Sequence, residues 1–251
     1  MRSTQRPTDE PSRDPAEIAK FAALAGAWWD PDGAFAALHR LNPLRLRFLR
    51  DIAAAQFGRD RQALAPFAGL SLVDIGCGGG LLSEPLARMG FAVLGIDAAE
   101  DGIRAAEAHA ARTGTEVAYR CATAEALAAA PGRFDVVVAM EVIEHVADVE
   151  SFLCASAALL KPGGLFFAAT INRTLKALAL AKLGAEYVLG WVPPGTHDWQ
   201  KFVTPREFAR HLDTAGLTVT DTQGIVFDPL AWAWRSSRDT DVNYMIVARR
   251  D

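Results

Sequence analysis

Between residues 70 and 170, short apolar runs alternate with stretches whose apolar positions recur at helical spacing. LSLVDIG (70–76), FAVLGID (91–97), VAYRCAT (117–123), FDVVVAM (134–140) and GGLFFAAT (163–170) read as strands. Stretches at 81–89, 99–113 and 149–160, with a short alanine-rich one after 123, read as helices. Strands that lack polar alternation and are separated by helices predict a parallel sheet covered on both faces. The rhythm then changes. Thr204-Pro205-Arg206-Glu207 carries a capping-box pattern and opens a helix, and LTVTDTQGIVF and DVNYMIVARR follow as strands. Joined without a long crossover, these two pair most easily antiparallel. The prediction is an α/β Rossmann-like domain with a seven-stranded, mostly parallel sheet.

Upstream, residues 1–13 are polar and broken by proline, and read as a disordered tail. Asp14-Pro15-Ala16-Glu17 marks a helix start, and Ile18, Phe21, Ala25 and Trp28 follow at helical spacing. A second helix is expected over about 43–57, with Pro43 near its start. The expected organisation of 14–251 is a helical cover (14–69), a binding core (70–170), an insertion (171–203) and a closing helix with strands (204–251).

Composition narrows the function. A chain of 251 residues is long enough for one sizeable buried core. A net charge of −4 gives no global reason to expect nucleic acid as a partner, although RLNPLRLRFLR (40–50) is locally basic. Cys77, Cys121 and Cys154 are scattered and form no CxxC pair, which argues against a disulfide framework or zinc site and suits a reducing, cytoplasmic setting. No apolar run is long enough to span a bilayer, so any membrane contact is expected to be peripheral.

The chemistry centres on LVDIGCGGGLL (72–82), at the carboxyl end of the first core strand, where open α/β sheets bind ligands. A dinucleotide fingerprint needs a third glycine where Leu81 stands, and Asp74 places negative charge where a pyrophosphate would be repelled. A donor with a sulfonium and an ammonium removes that conflict. Gly76 and Gly78 then offer it a surface free of side chains, and Asp97, ending the second strand, can accept from ribose hydroxyls. These features point to S-adenosylmethionine. The plainer reading, a tight glycine turn opening a helix, leaves the two acidic residues unexplained.

MEVIEHV (140–146) follows the fourth strand. If helical, it sets Glu141, Glu144 and His145 at i, i+3 and i+4 on one face. Two carboxylates and an imidazole suit either a divalent cation such as Mg2+ or an acid–base unit, and a histidine that ligates metal is less available as a base. The plainer reading is a helix N-terminus with stabilising acidic residues.

VDIGCGGG, GID at 95–97, EVIEHV and LKPGG resemble the class I S-adenosylmethionine-dependent methyltransferases. More narrowly, EIAKFAALAGAWWD, LHRLNPLRLRF, GAEYVLGWVPPGTHDWQKFVTP and DVNYM resemble the ubiquinone biosynthesis O-methyltransferase family, over about residues 17–248. The resemblance implies S-adenosylmethionine contacts at Arg45, Gly76, Asp97 and Met140. It also implies O-methylation of the polyprenylated catechols 2-polyprenyl-6-hydroxyphenol and 3-demethylubiquinol. An acceptor of that kind implies access to the inner membrane surface, for which TLKALALAKLGAEYVLGWV (174–192) has an interfacial composition, and a place in a ubiquinone-biosynthesis complex. Pro193 to Trp199, with His197 and Asp198, is expected to loop over the acceptor pocket, with Asn172 and Arg173 near its mouth. The rival readings are a methyltransferase acting on another phenol and a non-catalytic lipid-binding component of a biosynthetic assembly.

Overall fold

The computed structural model describes residues 12–179, 199–231 and 233–251. Most of the proposed interfacial stretch 174–192, and His197 and Asp198, therefore lie outside the described residues. An eight-stranded sheet forms the centre, in the order β3-β2-β1-β4-β5-β8-β6-β7. Its parallel half comprises β1 (Ser71–Ile75), β2 (Ala92–Asp97), β3 (Ala118–Cys121), β4 (Phe134–Met140) and β5 (Leu160–Ile171). The antiparallel half comprises β6 (Leu217–Asp228), β7 (Ala233–Ser237) and β8 (Asn243–Arg250). The sequence reading gave seven strands. It missed β7, an edge strand with a single neighbour whose sequence AWRSS shows no sustained apolar run.

The apolar runs of the central strands β1, β4 and β5 are continuous because these strands are covered on both sides, whereas the edge strand β3 is largely exposed. In β4, Val137 and Ala139 join one core with Phe152, Leu153 and Phe208 from α6 (Val149–Ala158) and α8 (Pro205–Thr214). Val136 and Val138 join the other core with Phe48 and Leu49 from α2 (Ala36–Gln56), and with Leu86 from α3 (Ser83–Arg88). The remaining helices are α1 (Pro15–Ala23), α4 (Glu100–Thr113), α5 (Ala124–Ala128) and the short α7 (Leu175–Ala177).

Helix starts follow local chemistry where a side chain caps them. Thr204 and Glu207 form the expected reciprocal capping box at α8. Asp14 caps α1, accepting from the amides of Ala16 and Glu17, with Pro15 in the first turn. Ser12, assigned to the tail from sequence, is instead buried, and its carbonyl accepts from the Ala147 amide. Helix α2 begins well before Pro43 and carries the proline inside it, so proline misled the boundary. Among the described residues no helix is long and apolar enough to cross a membrane.

Phe166 is fully buried on β5 between its two neighbouring strands and the α6–α8 layer. Phe166→Ala should lower the unfolding free energy by about 3–5 kcal/mol in urea titrations, as a large-to-small core change does. Leu64→Ala, at a fully exposed position, should change it by less than about 0.5 kcal/mol.

Candidate active site

A cavity of about 250 Å³ opens at the carboxyl ends of β1, β2 and β4. Asp74, Gly76, Asp97 and Met140 line one side, with Glu141, Glu144 and His145 beside them. The opposite wall comes from the N-terminal cover, including Glu17, Phe21 and Trp28, and from Arg45 on α2. The parallel strands alone account for the first group, because each ends at this edge. The cover supplies the rest across a long separation in sequence.

Asp74 is 3% exposed and accepts a 2.6 Å hydrogen bond from Ser83 Oγ. Burial pushes its carboxyl up to about 7, with the charge of Asp97 adding to the rise. Asp97 is also raised by burial. Its two oxygens accept from backbone amides, Oδ2 from Gly78 at 2.9 Å and Oδ1 from Ala99 at 2.7 Å. Two desolvated carboxyls beside one cavity are the arrangement that a bound cation relieves.

The glycine loop is bare for a reason that differs in part from the sequence expectation. Gly76 (φ +70°) and Cys77 line the cavity, and a Cβ added at Gly76 would lie 2.6 Å from Val142 Cγ2. Gly78 and Gly79 do not line it. The Trp28 indole lies against both, so closely that a Cβ at either would overlap it. Gly78 therefore enters the site through its amide on Asp97 and offers no open surface to a ligand. Gly80 is likewise closed off, by the Tyr119 hydroxyl.

Arg45 is 3% exposed; its Nη2 pairs with Glu141 Oε1, and its Nε is buried with no hydrogen-bond partner. A buried cationic donor lacking an acceptor suits a ligand carboxylate. Met140 ends β4, lines the cavity and belongs at the same time to the apolar core. Thr123 lines the cavity and caps α5 through its hydroxyl. Together, a buried arginine, one buried and one partly buried carboxyl and an apolar wall fit a donor that carries a carboxylate, a cation and an adenosine.

The shared face expected for Glu141, Glu144 and His145 does not form. Glu141 adopts a left-handed backbone (φ +56°), and only Ile143–His145 make a 3-10 turn. The three side chains then separate to different partners. Glu141 goes to Arg45, and Glu144 Oε2 accepts from Thr170 Oγ1 at 2.9 Å. His145 Nδ1 lies 2.8 Å from Glu17 Oε2. No group of three metal-ligating side chains converges among the described residues, so this donor set does not fit a metal as arranged. Glu144 is buried, which raises its carboxyl to about 7 with the charge of Glu141 adding to the rise; its Oε1 has no partner.

The Glu17–His145 pair escaped sequence reasoning, which saw Glu17 only as part of a helix start. The two residues are 128 positions apart, and no local pattern links them. The hydrogen bond to His145 is the largest cause holding the Glu17 carboxyl below its ordinary range. Phe21 meets the same imidazole edge-on, with centroids 5.0 Å apart. Asn172 and Arg173, expected near the pocket mouth, bond elsewhere, to the Thr240 carbonyl and to Glu207 respectively.

The chain is similar to known proteins in sequence and in fold. A methyltransferase domain family model matches residues 45–222. Ubiquinone biosynthesis O-methyltransferase of Methylobacterium sp. strain 4-46 is 58% identical over 240 residues, 96% of each chain. The protein of the same name from Caulobacter vibrioides is 58% identical over 241 residues, again 96% of each. Among solved structures, magnesium protoporphyrin IX methyltransferase from Synechocystis PCC 6803, with bound SAH, shares the fold with a TM-score of 0.63 at 19% identity, covering 93% of this chain and 95% of that one. A SAM-dependent methyltransferase from Aquifex aeolicus does so with a TM-score of 0.59 at 16% identity, covering 95% and 100%. The chain belongs to the ubiquinone biosynthesis O-methyltransferase family of S-adenosylmethionine-dependent enzymes.

Proposed function

We propose that this chain methylates a phenolic oxygen of polyprenylated catechols in ubiquinone synthesis, with Arg45, Asp74, Gly76, Asp97 and Met140 holding the donor and His145 acting as general base. The observation that carries this reading is the single cavity joining the buried Arg45 and Asp74 and the partly buried Asp97 to a carboxylate-paired histidine. S-adenosylmethionine supplies an electrophilic methyl group on a sulfonium. The residues of the chain have three tasks: to orient, to exclude water and to take a proton.

A phenol with a pKa of about 10 is largely protonated near neutrality, so its proton must leave as the oxygen reacts. Glu17 is held ionised by its bond to His145, and an ionised carboxylate can only accept. Nδ1 of His145 is then the protonated nitrogen, which leaves the Nε2 lone pair to receive the proton from the acceptor hydroxyl. Glu17 orients the ring and stabilises the imidazolium that results. Phe21 and Trp28 exclude water from that side of the cavity.

His145→Ala should lower kcat by about 10²–10⁴-fold, as loss of a general base does, and leave donor affinity unchanged. Glu17→Gln should lower kcat in the same direction by less. Steady-state methylation of a short-chain prenylated catechol, with calorimetric titration of S-adenosylhomocysteine, reads both. The divalent cation suggested by the EVIEH spacing is tested in the same assay. Activity that disappears on chelation and returns only with Mg2+ would transfer phenol activation from His145 to a cation.

Asp74 yields a pH prediction with a definite sign. Its carboxyl titrates at about 7 when buried, and a cation alongside favours the ionised form. Affinity for S-adenosylmethionine should therefore rise with pH up to about 7 and level off above it, and binding just below that pH should release protons. Calorimetry in buffers of differing ionisation enthalpy measures the release, which Asp74→Asn should reduce, leaving what Asp97 and Glu144 contribute.

The lipid-soluble acceptor further implies a cytoplasmic enzyme that touches a membrane peripherally through 174–192, within reach of a biosynthetic complex. Leu175, at the start of that stretch, is 78% exposed. The double variant Leu178→Asp/Leu183→Asp should stay folded and lose most sedimentation with anionic liposomes; unchanged sedimentation would count against the contact.

A further inference from the structure

The glycine loop is gripped from outside the cavity by a chain of contacts that the proposed chemistry does not use. Trp29 follows the cover, and its indole Nε1 donates to the Gly79 carbonyl at 2.9 Å. Its ring lies flat on the His109 imidazole of α4, with centroids 3.3 Å apart and planes 2° from parallel. His109 Nδ1 is in turn 2.5 Å from Oε1 of Glu84, a fully buried carboxylate on α3. Glu84 is further held by Arg88, Thr113 and Thr115. A carboxylate with no exposure is tolerable only when its oxygens are satisfied, and four donors satisfy this one. His109 is thus fixed in place, and so is the surface on which Trp29 lies.

The consequence reaches the cavity along the backbone. The Gly79 carbonyl held by Trp29 is two peptide units on from the Gly78 amide that donates to Asp97 Oδ2. The amides of Gly76 and Cys77 bond the Ile96 carbonyl and the Gly80 amide bonds the Cys77 carbonyl, but Gly78 and Gly79 have no side chains to resist rotation of the peptide between them, so a bond from outside to Gly79 helps to keep the Gly78 amide on Asp97. Trp28 packs on the loop by contact alone, because its own indole nitrogen is buried without a partner. Trp29 is the tryptophan of this pair that bonds the loop.

We propose that Trp29 is a positioning residue for the methyl donor: clamped between His109 and the Gly79 carbonyl, it holds the glycine loop so that Asp97 is set to receive the donor's hydroxyls. This inference rests on reading the cavity as the donor site. It is a role for binding; Trp29 does not line the cavity and touches no reacting atom.

Trp29→Phe keeps an aromatic ring available to His109 and removes the indole N–H together with part of the ring. Calorimetric Kd for S-adenosylhomocysteine and KM for S-adenosylmethionine should rise together by about 2- to 10-fold, the weight of one hydrogen bond. The acceptor KM and kcat at saturating donor should stay at wild-type values, a split that general destabilisation would not produce. Should Trp29→Phe fail to fold, His109→Gln carries the same test, since it retains a donor for Glu84 and removes the stacked ring. Wild-type donor affinity in a folded variant with lowered thermal stability would overturn the proposal and leave the donor site standing. Failure of the wild-type protein to bind S-adenosylhomocysteine would overturn both.

Discussion

Two carboxyl groups, the buried Asp74 and the partly buried Asp97, stand at the ends of adjacent parallel strands, and much of the site is arranged around the cost of keeping them there. Burial disfavours their charged forms, and each is partly compensated by donors, Ser83 for the first and the Gly78 and Ala99 amides for the second. What the protein leaves only partly compensated is their negative charge. A ligand that carries positive charge gains from both groups, while a pyrophosphate would be repelled by them. The preference for a cationic donor over a dinucleotide is therefore a property of the strand ends themselves, and the glycine loop serves it by placing an amide on Asp97.

The N-terminal cover completes what the sheet begins. Its first helix carries Glu17 to His145 and Phe21 to the same ring, and Lys201 ties its cap residue Asp14 to the segment before α8. Its end lays Trp28 on the glycine loop and Trp29 on α4. The cavity wall facing the strands is thus made of residues whose attachment is entirely tertiary. The proposed donor pocket and the proposed base both face that wall, so the order of the cover bears on both.

Much of the parallel core was legible because its strands are buried on both faces, which turns each into an uninterrupted apolar run such as FDVVVAM. The placement of Asp97 and Gly76 at the cavity was legible for a related reason: residues at the carboxyl ends of parallel strands lie together along one edge of the sheet. Strand β7 was not legible, because an edge strand can be short and polar. The EVIEH cluster misled because i, i+3, i+4 spacing brings side chains together only on a regular helix. Here Glu141 has a left-handed backbone, and the turn begins after it.

By itself the sequence determined the strand–helix alternation, the caps at Asp14 and Thr204, the acidic strand ends and the family, since these depend on patterns read within a few residues. Only the tertiary structure decided what covers Gly78 and Gly79, which partner each member of EVIEH takes, and that Glu17 faces His145 across 128 positions. The physical reason is range. Periodicity and capping act along the chain, whereas desolvation and hydrogen-bond pairing act between whatever groups packing brings together.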